Sequence, residues 1–150
     1  MPNWKYHNDW AERFGIPRSL ANWVNKREDF PKFDLCNDKS LEKQRQTFPN
    51  TQPSYEDMQN EGQQHLEAWL LHILIDELED ICDDLSDDIS PLDKGKDLYK
   101  EAIELFIANP LLRAFPSKIS SFVLDNITEL LETLPLPHFQ MIQNMIIKKR

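Results

Sequence analysis

Leu71, Leu74, Leu78, Ile81 and Leu85 recur at steps of three, four, three and four. That spacing returns an apolar side chain to one face of an α-helix at every turn, and to no single face of a strand. Leu66, Leu70, Ile73 and Ile75 widen the apolar stripe in its first half. The pattern predicts a long central helix over about 55–86. Ser54-Tyr55-Glu56-Asp57 opens it as a capping box with Asp in place of Glu. Gly62 is its one weak point, because glycine has the largest backbone entropy to lose.

The rest of the chain is punctuated in the same manner. Gly15 suits the left-handed end of a short helix over 9–14, and Pro17 opens a second helix carrying Leu20, Trp23 and Val24. Asp38 caps a third over about 39–46, and Pro49 and Pro53 mark an extended connection. Ser90-Pro91 starts a helix that runs to about Ala108, with Leu98, Ala102, Leu105 and Phe106 buried. Asn109-Pro110 begins a short one. Ser117 begins a long one through Ile119, Phe122, Val123, Ile127, Leu130 and Leu134. Pro137 opens the last, with Phe139, Ile142, Met145 and Ile146 in register. No segment alternates apolar and polar residues for long enough to make a strand, and there is no Asn-Gly or Asp-Gly hairpin signal. The expected fold is therefore all-α: a single domain over 1–150, a helical bundle of about six to eight helices. Residues 1–53 form a proline-rich, aromatic N-terminal arm over a bundle of 54–150. Seven of the fifteen aromatic residues fall in the first 33 positions, so the arm is folded rather than disordered.

Charge divides the chain in three. The net charge is -9, yet residues 46–93 contain thirteen acids and neither lysine nor arginine. The flanks, 1–45 and 94–150, are each net +2. Eight of those acids lie in 76–88. Like charges three and four residues apart weaken a helix, so such a run must gain from packing or from a cationic partner. This makes Asp76, Glu79, Asp80, Asp83, Asp84, Asp87 and Asp88 a candidate face for a basic protein surface. A nucleic-acid-handling protein is one partner of that kind.

A second constellation lies in 11–27. Ala11, Gly15, Ile16-Pro17, the apolar Leu20, Trp23 and Val24, and the basic Lys26-Arg27 follow one another at the spacing of two helices around a tight turn. This stretch resembles the helix-turn-helix of transposase-like and centromere-protein-type DNA binders. The resemblance covers 17 residues. It implies that Arg18, Ser19 and Asn22 face bases while Lys26 and Arg27 meet phosphates. The preceding helix of those families has no room here, and the acidic middle segment repels a duplex.

A third constellation is a stripe of Glu61, His65, His72 and Asp76 on the central helix, continued by Glu79 and Asp83. Imidazoles and carboxylates one turn apart can share a divalent metal. Asp93, Asp97, Glu101 and Glu104 of the next helix are candidate further ligands, which would define a metal-dependent all-α hydrolase. No histidine is followed by Asp, and no Glu-x-x-Glu precedes Glu77-x-x-Asp80, so neither known all-α metal-hydrolase pattern is complete.

Other classes find little support. There is no nucleophile elbow and no glycine-rich phosphate loop, with glycine only at 15, 62 and 95. Cys36 and Cys82 make no disulfide framework. The first residues lack the basic and apolar regions of a signal peptide, and no apolar run approaches the ~20 residues that span a bilayer. The expectation is a non-enzymatic, acidic cytoplasmic interaction protein with no membrane association and no cofactor. DNA binding and divalent-metal hydrolysis are the alternatives.

Overall fold

A computed structural model of the chain describes residues 3–32, 39–88 and 95–149. Among these residues there are ten helices and no strand, and no helix is long and apolar enough to cross a membrane. The helices are α1 Trp4–Phe14, α2 Arg18–Asp29, α3 Lys39–Arg45, α4 Tyr55–Glu61 and α5 Gln63–Asp87. They are followed by α6 Leu98–Ile107, α7 Leu111–Ala114, α8 Ser117–Asp125, α9 Ile127–Thr133 and α10 Pro137–Lys149. The expected roles of Phe33, Cys36, Asp38, Ser90, Pro91 and Asp93 lie outside the described residues.

The count exceeds six to eight for two local reasons. The long central helix is broken at Gly62, whose φ of 148° interrupts the chain between α4 and α5. The helix expected from Ser117 is broken at Asn126. There the backbone leaves helical geometry (φ -113°, ψ 13°), and the side-chain amide donates to the carbonyl of Phe122 at 2.8 Å. A short amide that competes for a backbone acceptor is a known helix interrupter. At the other end of the chain α1 begins five residues before the expected start, at Trp4.

Packing divides the chain into two compact units, residues 1–72 and 73–150. In the first, α1 and α2 fold against each other around Gly15. Its φ of 107° lets Gly15 N–H and Ile16 N–H return to the carbonyls of Glu12 and Ala11, each at 3.0 Å. Ala11 is buried, so its lack of a long side chain is what lets α2 approach. Trp10, Ile16, Ala21, Val24, Phe30, Met58 and Leu66 complete this core. The capping box is made in both directions: Ser54 Oγ accepts from Asp57 N–H at 3.1 Å, and Asp57 accepts from Ser54 N–H at 2.9 Å. Those hydrogen bonds to Ser54, backbone first, hold the Asp57 carboxyl below its usual range.

In the second unit Leu74, Leu78, Cys82, Leu98, Ala102, Phe106, Val123, Leu130 and Phe139 are buried. Asp97 caps α6 by accepting from Lys100 N–H at 3.2 Å. Buried Gln143 of α10 accepts from Leu98 N–H at 2.7 Å and donates to Asp97 at 2.9 Å, which satisfies a helix start inside the core. The predicted stripes need correction in three places. Ile81 and Leu85 are only half-buried, while Cys82 and Ser86 take the buried positions. A 3-4-3-4 seam averages 3.5 residues per turn and drifts by about 20° per heptad from a 3.6-residue helix, which moves Ile81 and Leu85 toward the edge of the core face. Leu105 is 48% exposed, against the expectation that it packs inward, and Met145 of the last helix is 41% exposed.

Candidate functional site

The acidic half of α5 places its charges as follows. Asp80, Asp83, Asp84 and Asp87 are exposed and, at steps of three and four, occupy one stripe of the helix. Asp76 and Glu79 are half-buried, and Asp88 lies just beyond the helix end. Glu77 is turned to a different task and accepts from Asn109 Nδ2 at 3.1 Å. Partial burial, and then the charges of Asp76, Glu77, Asp84 and Asp83, raise the Asp80 carboxyl above its ordinary range. These acids also crowd the C-terminal half of a 25-residue helix, where the backbone dipole already carries partial negative charge. Cys82 lies beneath them, fully buried, and burial followed by Glu79 pushes its thiol up to about 12. It is not a nucleophile at neutral pH.

α1 and α2 meet at the Gly15 turn, and several cations of this corner are engaged within the fold. Arg18 donates to Asp9 at 2.7 Å and lies 3.4 Å from Glu12. The same contact holds Asp9 below the usual carboxylate range, with Lys5 assisting. Arg27 is buried at 7% exposure and donates to the carbonyl of Thr51. Asn22 accepts from Asn8 at 3.0 Å. Lys26 donates to Gln44 at 2.7 Å and stands 5.3 Å from the centre of the Trp4 ring. Ser19 is exposed.

Of the expected metal stripe, His72 and Asp76 bring ligand atoms within 4.8 Å of one another. The break at Gly62 puts Glu61 at the end of α4 and His65 in the first turn of α5. His65 lies edge-on to Trp23 at 5.8 Å. His72 is 1% exposed rather than on a solvated face opposite the apolar seam. Its Nδ1 meets Asn25 Oδ1 at 2.8 Å and its Nε2 meets Asp29 Oδ1 at 3.1 Å, so both ring nitrogens are occupied. Asp76 follows one turn later on α5. Of the donors expected from the next helix, Asp97 is occupied as the α6 cap.

Around His72 the first unit holds a polar network that the sequence reading missed. Asn25 Nδ2 donates to Asn8 Oδ1 at 2.7 Å, and Trp4 Nε1 donates to Asp29 Oδ2 at 2.9 Å. His7 stacks on His72 with ring centres 4.0 Å apart. His7, Asn8, Asn25, Asp29 and His72 are all under a tenth exposed. Asn25 and Asp29 of α2 thus hold the His72 ring from both of its nitrogens. The available signal was positional: Asn22, Asn25 and Asp29 recur at helical steps on α2, as Trp4 and Asn8 do on α1.

Comparison with protein-family models, with curated proteins and with solved structures finds no match.

Proposed function

We propose that the chain is a non-enzymatic interaction protein whose α5 docks on a basic protein surface. The observation that carries this reading is the exposed stripe of Asp80, Asp83, Asp84 and Asp87, at the end of a helix where negative charge is least favourable. Each like-charge pair costs the helix a few tenths of a kcal/mol, and burial of Leu74, Leu78 and Cys82 beneath the stripe offsets the cost. A cationic partner relieves the repulsion, raises the association rate by electrostatic steering, and makes the binding sensitive to salt. Asp76, Glu79 and Asp88 extend the same field at its margins.

Binding of a fluorescent lysine-rich peptide, followed by anisotropy at several salt concentrations, tests the reading. The wild-type chain binds and weakens as salt rises. The variant with Asp80, Asp83, Asp84 and Asp87 all changed to Asn binds about tenfold more weakly or worse. A control that neutralises four acids elsewhere (Glu42, Glu56, Asp125 and Glu132) retains most of the affinity. Equal losses in both variants reduce the effect to net charge and refute a localised face.

A further inference from the structure

A groove between α2 and α3 has a character opposite to the rest of this acidic chain. It is an open groove of about 570 Å³, within the range of roughly 300–1,000 Å³ of small-ligand sites. Two aromatic rings, Trp23 and Phe48, line it with their centres 5.9 Å apart. Phe48 is braced from behind by Phe30 at 5.1 Å, and Trp23 by His65 at 5.8 Å. Lys26 and Lys43 also line it, and none of its lining residues is an acid. In a chain of net charge -9, an acid-free groove lined by two ammonium groups is a local positive site.

The polar lining is chemically mixed. The Lys26 ammonium is aimed by Gln44 Oε1 at 2.7 Å and by the Trp4 ring at 5.3 Å, both neutral partners that leave its charge intact. Lys43 is exposed at the rim. Ser19 of α2 and Thr47 after α3 add hydroxyl groups to the lining, and Thr47 is itself fixed by donating to Gln44 C=O at 2.6 Å. A ligand that satisfies all of this has a flat aromatic part for Trp23 and Phe48, an anionic part for the two lysines, and hydroxyls between them. We infer that this groove binds a mononucleotide, with the base against the Trp23–Phe48 wall and the phosphate between Lys26 and Lys43. Stacking of a base on an aromatic side chain is tolerant of base identity, so affinity depends more on the phosphate than on which base is present. The inference is independent of the acidic face, which no residue of this groove shares.

Isothermal titration calorimetry of the full chain with adenosine 5′-monophosphate tests it, with adenosine and inorganic phosphate as separate probes. The nucleotide is expected to bind, and each half-ligand to bind at least tenfold more weakly. Lys43→Glu changes an exposed side chain and is expected to leave the fold intact while weakening the nucleotide about tenfold. Lys96→Glu, an exposed lysine of the other unit, leaves the affinity unchanged. Trp23→Phe keeps a ring in the wall and retains most of the binding, whereas Trp23→Ala loses about tenfold or more. No heat of binding at millimolar nucleotide overturns the inference, and so does a Lys43→Glu variant that binds like wild type. Binding of a short single-stranded oligonucleotide without binding of the mononucleotide also overturns it, and assigns the groove to a nucleic-acid strand.

Discussion

Asn25 illustrates how much of this fold rests on single amides. Its Nδ2 donates to Asn8 at 2.7 Å and its Oδ1 faces His72 at 2.8 Å, at 2% exposure. Asn25→Ala removes both bonds and leaves an amide and an imidazole nitrogen facing a void that one methyl group does not fill. A buried polar group stripped of its partner costs about 1–3 kcal/mol, and two are stripped here. The expected loss is about 3 kcal/mol of unfolding free energy, read from the midpoint of urea denaturation at unchanged slope. Ser19→Ala, an exposed position on the same helix, is expected to shift the midpoint within error. A small effect of Asn25→Ala would mean that water replaces the amide and that the network is not a buried unit. The sequence disclosed these residues by name but not by role. His72 was visible as a chemically interesting side chain, and the helical period assigned it to a solvated stripe. What hides it is α2, whose Asn25 and Asp29 come from 47 and 43 residues away, and no periodicity within α5 carries that information.

At the scale of elements, the break at Gly62 separates two accounts of the central helix by sign. Were 55–86 one continuous helix, Gly62→Ala would add a better helix former and stabilise the chain by up to about 1 kcal/mol. In the structure Gly62 has a φ of 148°, a conformation closed to residues with a Cβ, and an added methyl carbon would sit 3.2 Å from His65 Nδ1. Holding a non-glycine residue there costs about 1–3 kcal/mol, so Gly62→Ala is expected to lower stability by about that amount in thermal or urea unfolding. A stabilised variant would show that α4 and α5 join. The capping box at Ser54, the Gly15 turn and the apolar register of Leu71, Leu74 and Leu78 were all legible, because each depends on residues within one or two turns. The helix ends at Gly62 and Asn126 were not. A glycine inside a periodic pattern costs a helix little enough that pattern alone favours continuity, and Asn126 interrupts through a hydrogen bond to a carbonyl four residues back. Of the acids of α5, Asp80, Asp83, Asp84 and Asp87 are exposed while Asp76 and Glu79 are half-buried, and the engagement of Arg18 by Asp9 and Glu12 depended on how α1 crosses α2.

For the whole molecule, the uneven charge predicts a stability maximum at mildly acidic pH. Burial and four neighbouring carboxylates raise Asp80 above its unfolded value. An acid with a raised folded pKa binds its proton more readily in the native state. Its ionisation therefore costs stability above the folded pKa, and that cost fades as pH falls through the folded pKa and is gone below the unfolded one. Asp9 and Asp57 act with the opposite sign. Their carboxyls lie below the usual range, because of Arg18 and Lys5 in one case and Ser54 in the other. They contribute stability above the unfolded carboxylate pKa of about 3.9, and lose it as pH falls from there through their depressed values. The two windows adjoin, so acidification from neutral first relieves the α5 repulsion and only then undoes the α1 ion pair and the α4 cap. Urea midpoints measured from neutral pH downward should rise before they fall. Asp80→Asn should flatten the rise, and moderate salt at neutral pH should mimic part of it, because screening weakens repulsion among exposed carboxylates within a Debye length of about 10 Å at 0.1 M. A midpoint that falls monotonically from pH 7, in wild type and Asp80→Asn alike, would mean that the α5 acids do not repel one another appreciably in the fold. The cationic relief proposed for that helix would then lose its energetic basis.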